Sequence, residues 1–154
     1  MHINRESPNQ PDVIALIDAL DAYQSSLYPA ESNHLLDIQT LMQPNVLFVV
    51  LREAPGGAAI GCGAVVLMGD YGEVKRMYVK PEQRGRGLAK AILTALETEA
   101  ARASCPTLRL ETGIHQHEAI ALYERSGFTR CTRYGDYPDD PLSVFMEKRI
   151  AGRT

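Results

Sequence analysis

Cysteine is scarce in this 154-residue sequence: Cys62, Cys105 and Cys131 are scattered, odd in number and without a CxxC pair. That excludes a disulfide framework and argues against a structural zinc site. No stretch approaches the roughly 20 apolar residues of a membrane-spanning helix, and residues 1–5 do not open like a signal peptide. A cytoplasmic protein with no membrane partner is therefore expected. Basic excess is also missing, because the formal net charge is −3; nothing electrostatic recommends nucleic acid as a partner. There is no internal repeat, no low-complexity linker and no Gly-x4-Gly-Lys-Ser/Thr phosphate loop. His115 and His117 stand two apart, which puts them on different faces of a helix, and no third ligand is near, so no metal is expected.

What is present suits an ordinary globular protein. Hydrophobic residues make up 45% and charged residues 23% of the sequence, and this length fits one domain, 1–154, able to bury a core without staples. A short first strand is expected over residues 2–7. Val13, Ile14, Ile17, Leu20 and Leu27 recur at helical spacing, which predicts a helix over 11–27. A second, shorter helix restarts at Ser32 and stops before Pro44. Residues 46–51 are a continuous β-branched and aromatic run. They form a hairpin with 60–68 across Pro55-Gly56-Gly57, and a turn at 69–72 leads into a third strand over 73–79.

Next comes the stretch around which the chain is organised. Residues 79–90, VKPEQRGRGLAK, pass from a strand through a turn with two glycines into a helix whose apolar face is Leu88, Ile92, Leu93, Leu96 and Ala100. Amides at a helix start have no internal acceptors and the glycines allow close approach, so this turn is a candidate phosphate cradle. Taken alone, an ordinary strand-to-helix turn with a solvated basic rim explains it as well. Residues 107–112 alternate as a strand, which suggests a right-handed parallel crossover. A helix over 116–126 ends at Gly127, and two closing strands, 128–134 and 142–147, flank a polar loop at 135–141. The whole is a single α/β domain with a mixed sheet.

Together these motifs resemble the GNAT superfamily of N-acetyltransferases. Arg84-Gly85-Arg86-Gly87-Leu88-Ala89 meets its Arg/Gln-x-x-Gly-x-Gly/Ala signature, and AIALYERSGF at 119–128 follows in the family's order, the likeness spanning roughly residues 45–149. The resemblance implies an α/β (α+β) fold with a mixed, mostly antiparallel central sheet of about six or seven strands flanked by about four helices. It also implies acetyl-CoA as acetyl donor, with no metal. The pyrophosphate would lie on Arg84, Gly85, Arg86, Gly87, Leu88 and Ala89, with Lys90 as a further phosphate contact. Met77, Tyr78 and Val79 would bond the pantetheine arm through their backbone, as an added strand would.

Tyr123 matches the family tyrosine that protonates the departing thiolate; read without the motif, it is a core tyrosine bonded to backbone. Gln116 stands where many members have asparagine, offering the same amide on a longer arm for a cofactor contact. Glu73 is the first candidate base and Glu111 the second, although each also reads as a strand carboxylate paired with Lys75, Arg76 or Arg109.

The acceptor side falls to the segment between the first two helices, with Tyr28 and His34, and to the last hairpin, with Tyr134 and Tyr137; Glu111 is nominated beside them. The acidity of these loops, with Glu31, Asp136, Asp139 and Asp140, and their tyrosines suit a small-molecule amine. A homodimer is compatible with the resemblance, and the alternatives to a small-molecule enzyme are a non-catalytic acyl-CoA sensor or a protein or peptide N-acetyltransferase.

Overall fold

Helix α1 (Pro11–Leu27) forms where the apolar spacing calls for it, with Pro11 in the first turn, where its missing N–H costs nothing. Val13, Leu16, Ile17 and Leu20 form its buried stripe. The computed structural model describes residues 1–29 and 37–150. Expected site residue His34 and the start of the expected second helix lie outside those residues. The described part of that helix is α2 (Ile38–Leu41), capped by Asp37, whose carboxylate accepts the Thr40 amide at 2.9 Å.

Strands β1 (His2–Arg5), β2 (Val46–Arg52), β3 (Ala59–Leu67) and β4 (Gly72–Val79) pair antiparallel in sequence. Helix α3 (Leu88–Arg102) then crosses over to β5 (Thr107–Gly113), which lies parallel to β4. Helix α4 (His117–Arg125) precedes β6 (Thr129–Arg130) and β7 (Ser143–Arg149). The result is a seven-stranded mixed sheet of order β1-β2-β3-β4-β5-β7-β6. One expectation needs correction: of the strand expected over 128–134, only Thr129 and Arg130 pair with β7. Cys131 still donates its amide to the Phe145 carbonyl at 2.9 Å; the chain then leaves the sheet, and Tyr134 buries its ring edge-on against Phe145 of β7.

Both sheet faces are covered. Ile92, Leu93, Leu96 and Ala100 of α3 pack with Leu108, Leu110, Tyr123 and Met146 on one face. Val13, Leu16 and Ile17 of α1 pack with Phe48, Val50 and Ala64 on the other. Each fully buried aliphatic side chain here contributes about 1.5–3 kcal/mol.

Two irregularities in β4 part the middle of the sheet. First, β4 and β5 pair only at Gly72 with Leu108 and at Glu73 with Arg109, and then separate. Second, the register against β3 shifts between Cys62 and Ala64, where β4 spends one extra residue. Arg76 sits in that bulge with φ of 58°, a left-handed conformation uncommon outside glycine. The two strands β4 and β5 thus open a V.

Candidate active site

A cleft of about 890 Å³ fills the V and continues to both faces of the sheet. Its two long walls are residues 74–79 of β4 and Glu111, Thr112 and Gly113 of β5. On the α3 side it reaches Arg84, Gly85, the first turn of α3 and α4, including Ala119, Leu122 and Tyr123. On the α1 side it is bounded by Leu20, Tyr23, Gln24 and Tyr28, with His115 and Leu142.

The glycine turn has the geometry of an anion cradle. Gly85 and Gly87 have φ of 82° and 74°, and a Cβ built at either would meet nothing within 4 Å. Glycine is thus needed for the backbone conformation, and the space beyond is open. Among the described residues, the amides of 85–90 donate to no protein acceptor, while Ala91 already bonds Gly87 in the helix. Amides left over at a helix start can stabilise a phosphate by hydrogen bonds and by the helix dipole together. Arg84 does not extend toward it; its Nε donates to the Val79 carbonyl at 3.0 Å and its guanidinium lies over Tyr78. Arg86 donates to the Gln83 side chain. Lys90 lines the cleft.

Tyr123 reaches the cleft from α4 while remaining only 7% exposed, its ring edge-on to Phe128. Burial pushes its phenol up to about 12, so at neutral pH it is a proton donor. No hydrogen bond holds its hydroxyl among the described residues. Gln116, the residue before α4, lines the cleft too; its side-chain oxygen accepts from the Gly113 amide at 3.1 Å and the Thr112 hydroxyl at 3.2 Å. Those bonds orient its amide nitrogen and hold the end of β5.

The profile of the Acetyltransferase (GNAT) family matches residues 13–128. The chain belongs to the GNAT family. An IAA acetyltransferase of Azospirillum brasilense is 50% identical over 150 residues, covering 96% of this chain and 97% of the relative. A Klebsiella pneumoniae structure assigned as an acyl-CoA N-acyltransferase superposes with a TM-score of 0.81 at 45% identity, covering 97% of each chain. An aminoglycoside 6′-N-acetyltransferase complexed with coenzyme A shares the fold, with a TM-score of 0.74 at 19% identity over 100% and 99% of the two chains. The protein is thus an acyltransferase enzyme of the GNAT type.

Within the GNAT scaffold the expected residues divide into two groups. Met77, Tyr78, Val79, Arg84, Gly85, Gly87, Leu88, Ala89, Lys90, Gln116 and Tyr123 meet around the cleft, joined by Tyr28 and Glu111 on its α1 side. Glu73, Tyr134 and Tyr137 are not among the lining residues. They form a cluster beside the V, where Tyr134 and Tyr137 both donate to the Glu73 carboxylate, the former at 3.0 Å, and Lys75 donates to Tyr137. Burial, and then the Glu73 charge, raises the pKa of both phenols. Arg86 also lies outside the lining residues.

Several lining residues were not singled out as site residues from sequence, among them Lys75, Arg76, Thr112, His115 and Leu142. Period-two alternation carries a signal for Lys75, which shares a strand face with Glu73. No sequence signal marks the bulge that places Arg76.

Proposed function

We propose that the protein is a single-domain, acetyl-CoA-dependent N-acetyltransferase that acts on the primary amine of a small molecule by direct transfer in a ternary complex. The observation that carries this reading is the run of amides at 85–90 that donate to no acceptor among the described residues, at the edge of the same cleft that Tyr123 lines with a phenol likewise unpartnered among them. The residues fit the donor: the amides of 85–90 would hold its pyrophosphate, and the β4 edge over 77–79 would hold the pantetheine arm as an added strand. Acetyl-CoA supplies an acyl group activated as a thioester.

The chain's residues then manage protons and charge. Glu111 lines the cleft, whereas Glu73 does not and touches Lys75, which does. Glu111 therefore takes the contact with the amine, and Glu73 the task of fixing Lys75. One ammonium proton passes to Glu111 before attack. The nitrogen–carbon bond forms, the carbon–sulfur bond breaks with its electron pair leaving on sulfur, and Tyr123 protonates that thiolate. The second amine proton goes to solvent, from which Tyr123 is restored, and Glu111 releases the first to solvent, which returns the enzyme to its starting state. Nothing here requires a metal, a membrane or nucleic acid, and a cytoplasmic setting suits acetyl-CoA.

Thiol release with acetyl-CoA over a panel of amines, peptides and IAA tests the proposal, IAA being included for the name of the Azospirillum relative. Stabilisation by acetyl-CoA without thiol release from any acceptor would favour a non-catalytic acyl-CoA sensor; release with peptides alone would favour a protein acceptor.

A further inference from the structure

We propose that Arg76 is a positioning residue for the acyl donor: its left-handed backbone, held from α1 by Asp21, turns the edge of β4 so that the backbone of Met77 and Val79 faces the V. This rests on the reading above that acetyl-CoA lies along that edge.

The bulge decides which way the end of the strand faces. Before it, Glu73 pairs with Val66 and Lys75 with Ala64; after it, Tyr78 pairs with Cys62. Val66, Ala64 and Cys62 all belong to the core beneath α1. Glu73, Lys75 and Tyr78 therefore share the α1 face, where strict alternation from Lys75 would have placed Met77. Tyr78 accordingly packs with the α1-side core, and Met77 and Val79 with the α3-side core. Backbone polar groups alternate in step with side chains. The Lys80 amide donates to the Ile60 carbonyl of β3 at 2.9 Å, so Tyr78 and Lys80 turn their polar groups to β3, and Met77 and Val79 turn theirs to the V. Consistent with this, the Val79 carbonyl accepts Arg84 Nε and not a β3 amide. Without the extra residue, the edge offered to the donor would be that of Tyr78 instead.

A left-handed residue other than glycine persists only where its surroundings hold it. The Cys62 thiol donates to the Arg76 carbonyl at 3.3 Å, and the Arg76 side chain, 4% exposed, is ion-paired with Asp21 of α1. A charge so deeply buried stays with its counter-charge. Arg76 is thus anchored at both ends, and relaxing it into regular strand would draw the guanidinium away from Asp21. Its influence on the donor passes through the backbone of the three residues that follow.

Calorimetry with two probes tests this: acetyl-CoA, and 3′-phospho-ADP, which has the pyrophosphate but no pantetheine arm. Arg76→Ala should weaken acetyl-CoA by about tenfold or more, as loss of one or two backbone hydrogen bonds does, and the armless probe by less than about threefold. Arg76→Gly should bring acetyl-CoA back to within about threefold of wild type, since glycine takes a φ of 58° without strain. Asp21→Asn should show the same arm-specific loss, by about threefold or more; its carboxylate is partly exposed, so it carries the comparison if Arg76→Ala does not fold. Equal weakening of both probes would reduce Arg76 to a structural residue and overturn the proposal. Unchanged acetyl-CoA affinity in the Ala or Asn variant, or an Arg76→Gly variant as weak as Arg76→Ala, does so too. Wild-type protein that binds neither probe removes the acetyl-CoA reading itself and this inference with it, whereas the other failures leave that reading standing.

Discussion

The phenol of Tyr28 lies so close to Gly113 that a Cβ at that position would stand 1.6 Å from its oxygen. The same oxygen accepts the His115 amide at 3.2 Å, and the Tyr28 ring stacks on the His115 imidazole at 5.7 Å. The end of α1 is thereby fastened to the end of β5 across the open V. Gly113→Ala should expel the Tyr28 ring and destabilise the protein by about 1–3 kcal/mol, as overpacking does. Because Tyr28 stands on the α1 side, the KM for the acceptor should rise more than that for acetyl-CoA. Thermal melts and initial-rate kinetics check both, and an unchanged melting temperature would contradict the packing.

Gly87 permits a cleaner separation of backbone from charge. Its φ of 74° makes any substitution strained, yet a Cβ there meets nothing within 4 Å. Gly87→Ala should therefore cost about 1–2 kcal/mol of stability from the left-handed backbone alone. Gly87→Glu bears the same strain and adds a carboxylate beside the amides meant for phosphate. Calorimetry should show acetyl-CoA affinity lower in the Glu variant than in the Ala variant by about tenfold or more. Equal affinities would mean that the phosphate lies elsewhere.

Much of this molecule is legible in its sequence because the determining interactions are local. The helical stripe from Val13 to Leu20, the apolar run at 46–51 and the glycine turn each carry their own periodicity or backbone signal, and each appears as expected. The cleft is harder to read because it comes from a failure of pairing. Nothing in residues 72–79 announces that β4 leaves β5 after Glu73, or that Arg76 takes a left-handed conformation. The consequence is that Glu73 points into the cluster with Tyr134 and Tyr137 while its near neighbour Lys75 lines the cleft. The shortened β6 has a similar cause. The aromatic contacts of Tyr134 with Phe145, Tyr71 and Tyr137 hold the chain off the sheet edge, and pairs so distant in sequence leave no periodic trace.

Tyr123→Phe removes the phenol and keeps the ring that packs against Phe128. Stability and acetyl-CoA affinity should change little, while turnover should fall by about a hundredfold or more, the usual contribution of one proton donor. Burial has raised the phenol to about 12, so the donor form persists throughout the ordinary assay range. The wild-type rate should thus show no alkaline fall attributable to Tyr123 below about pH 10. Wild-type turnover in the Phe variant would take this residue out of the mechanism.

Arg52 is the centre of a second charged network, remote from the cleft. Its guanidinium binds Glu6 at 2.9 Å, Asp12 at 2.8 Å, the Gln10 side chain at 3.1 Å and the Gly57 carbonyl at 2.8 Å, tying β2 to the approach to α1 and to the β2–β3 turn. Hydrogen bonds from Arg52 are the largest influence on both carboxyls and hold them below their ordinary values of 4.5 for Glu6 and 3.8 for Asp12. A carboxylate depressed in the folded state adds stability that is present above its unfolded value and is lost as pH falls through its folded one. Arg52→Met should therefore lower the melting temperature near pH 7, by about 3–6 °C for a loss of about 1–2 kcal/mol in a chain of this size. That gap should narrow steadily below about pH 4, because protonated Glu6 and Asp12 no longer attract the guanidinium in the wild type either. A gap that stayed constant down to about pH 2 would assign the effect of Arg52 to packing of its aliphatic stem and to its bond with Gly57, neither of which titrates.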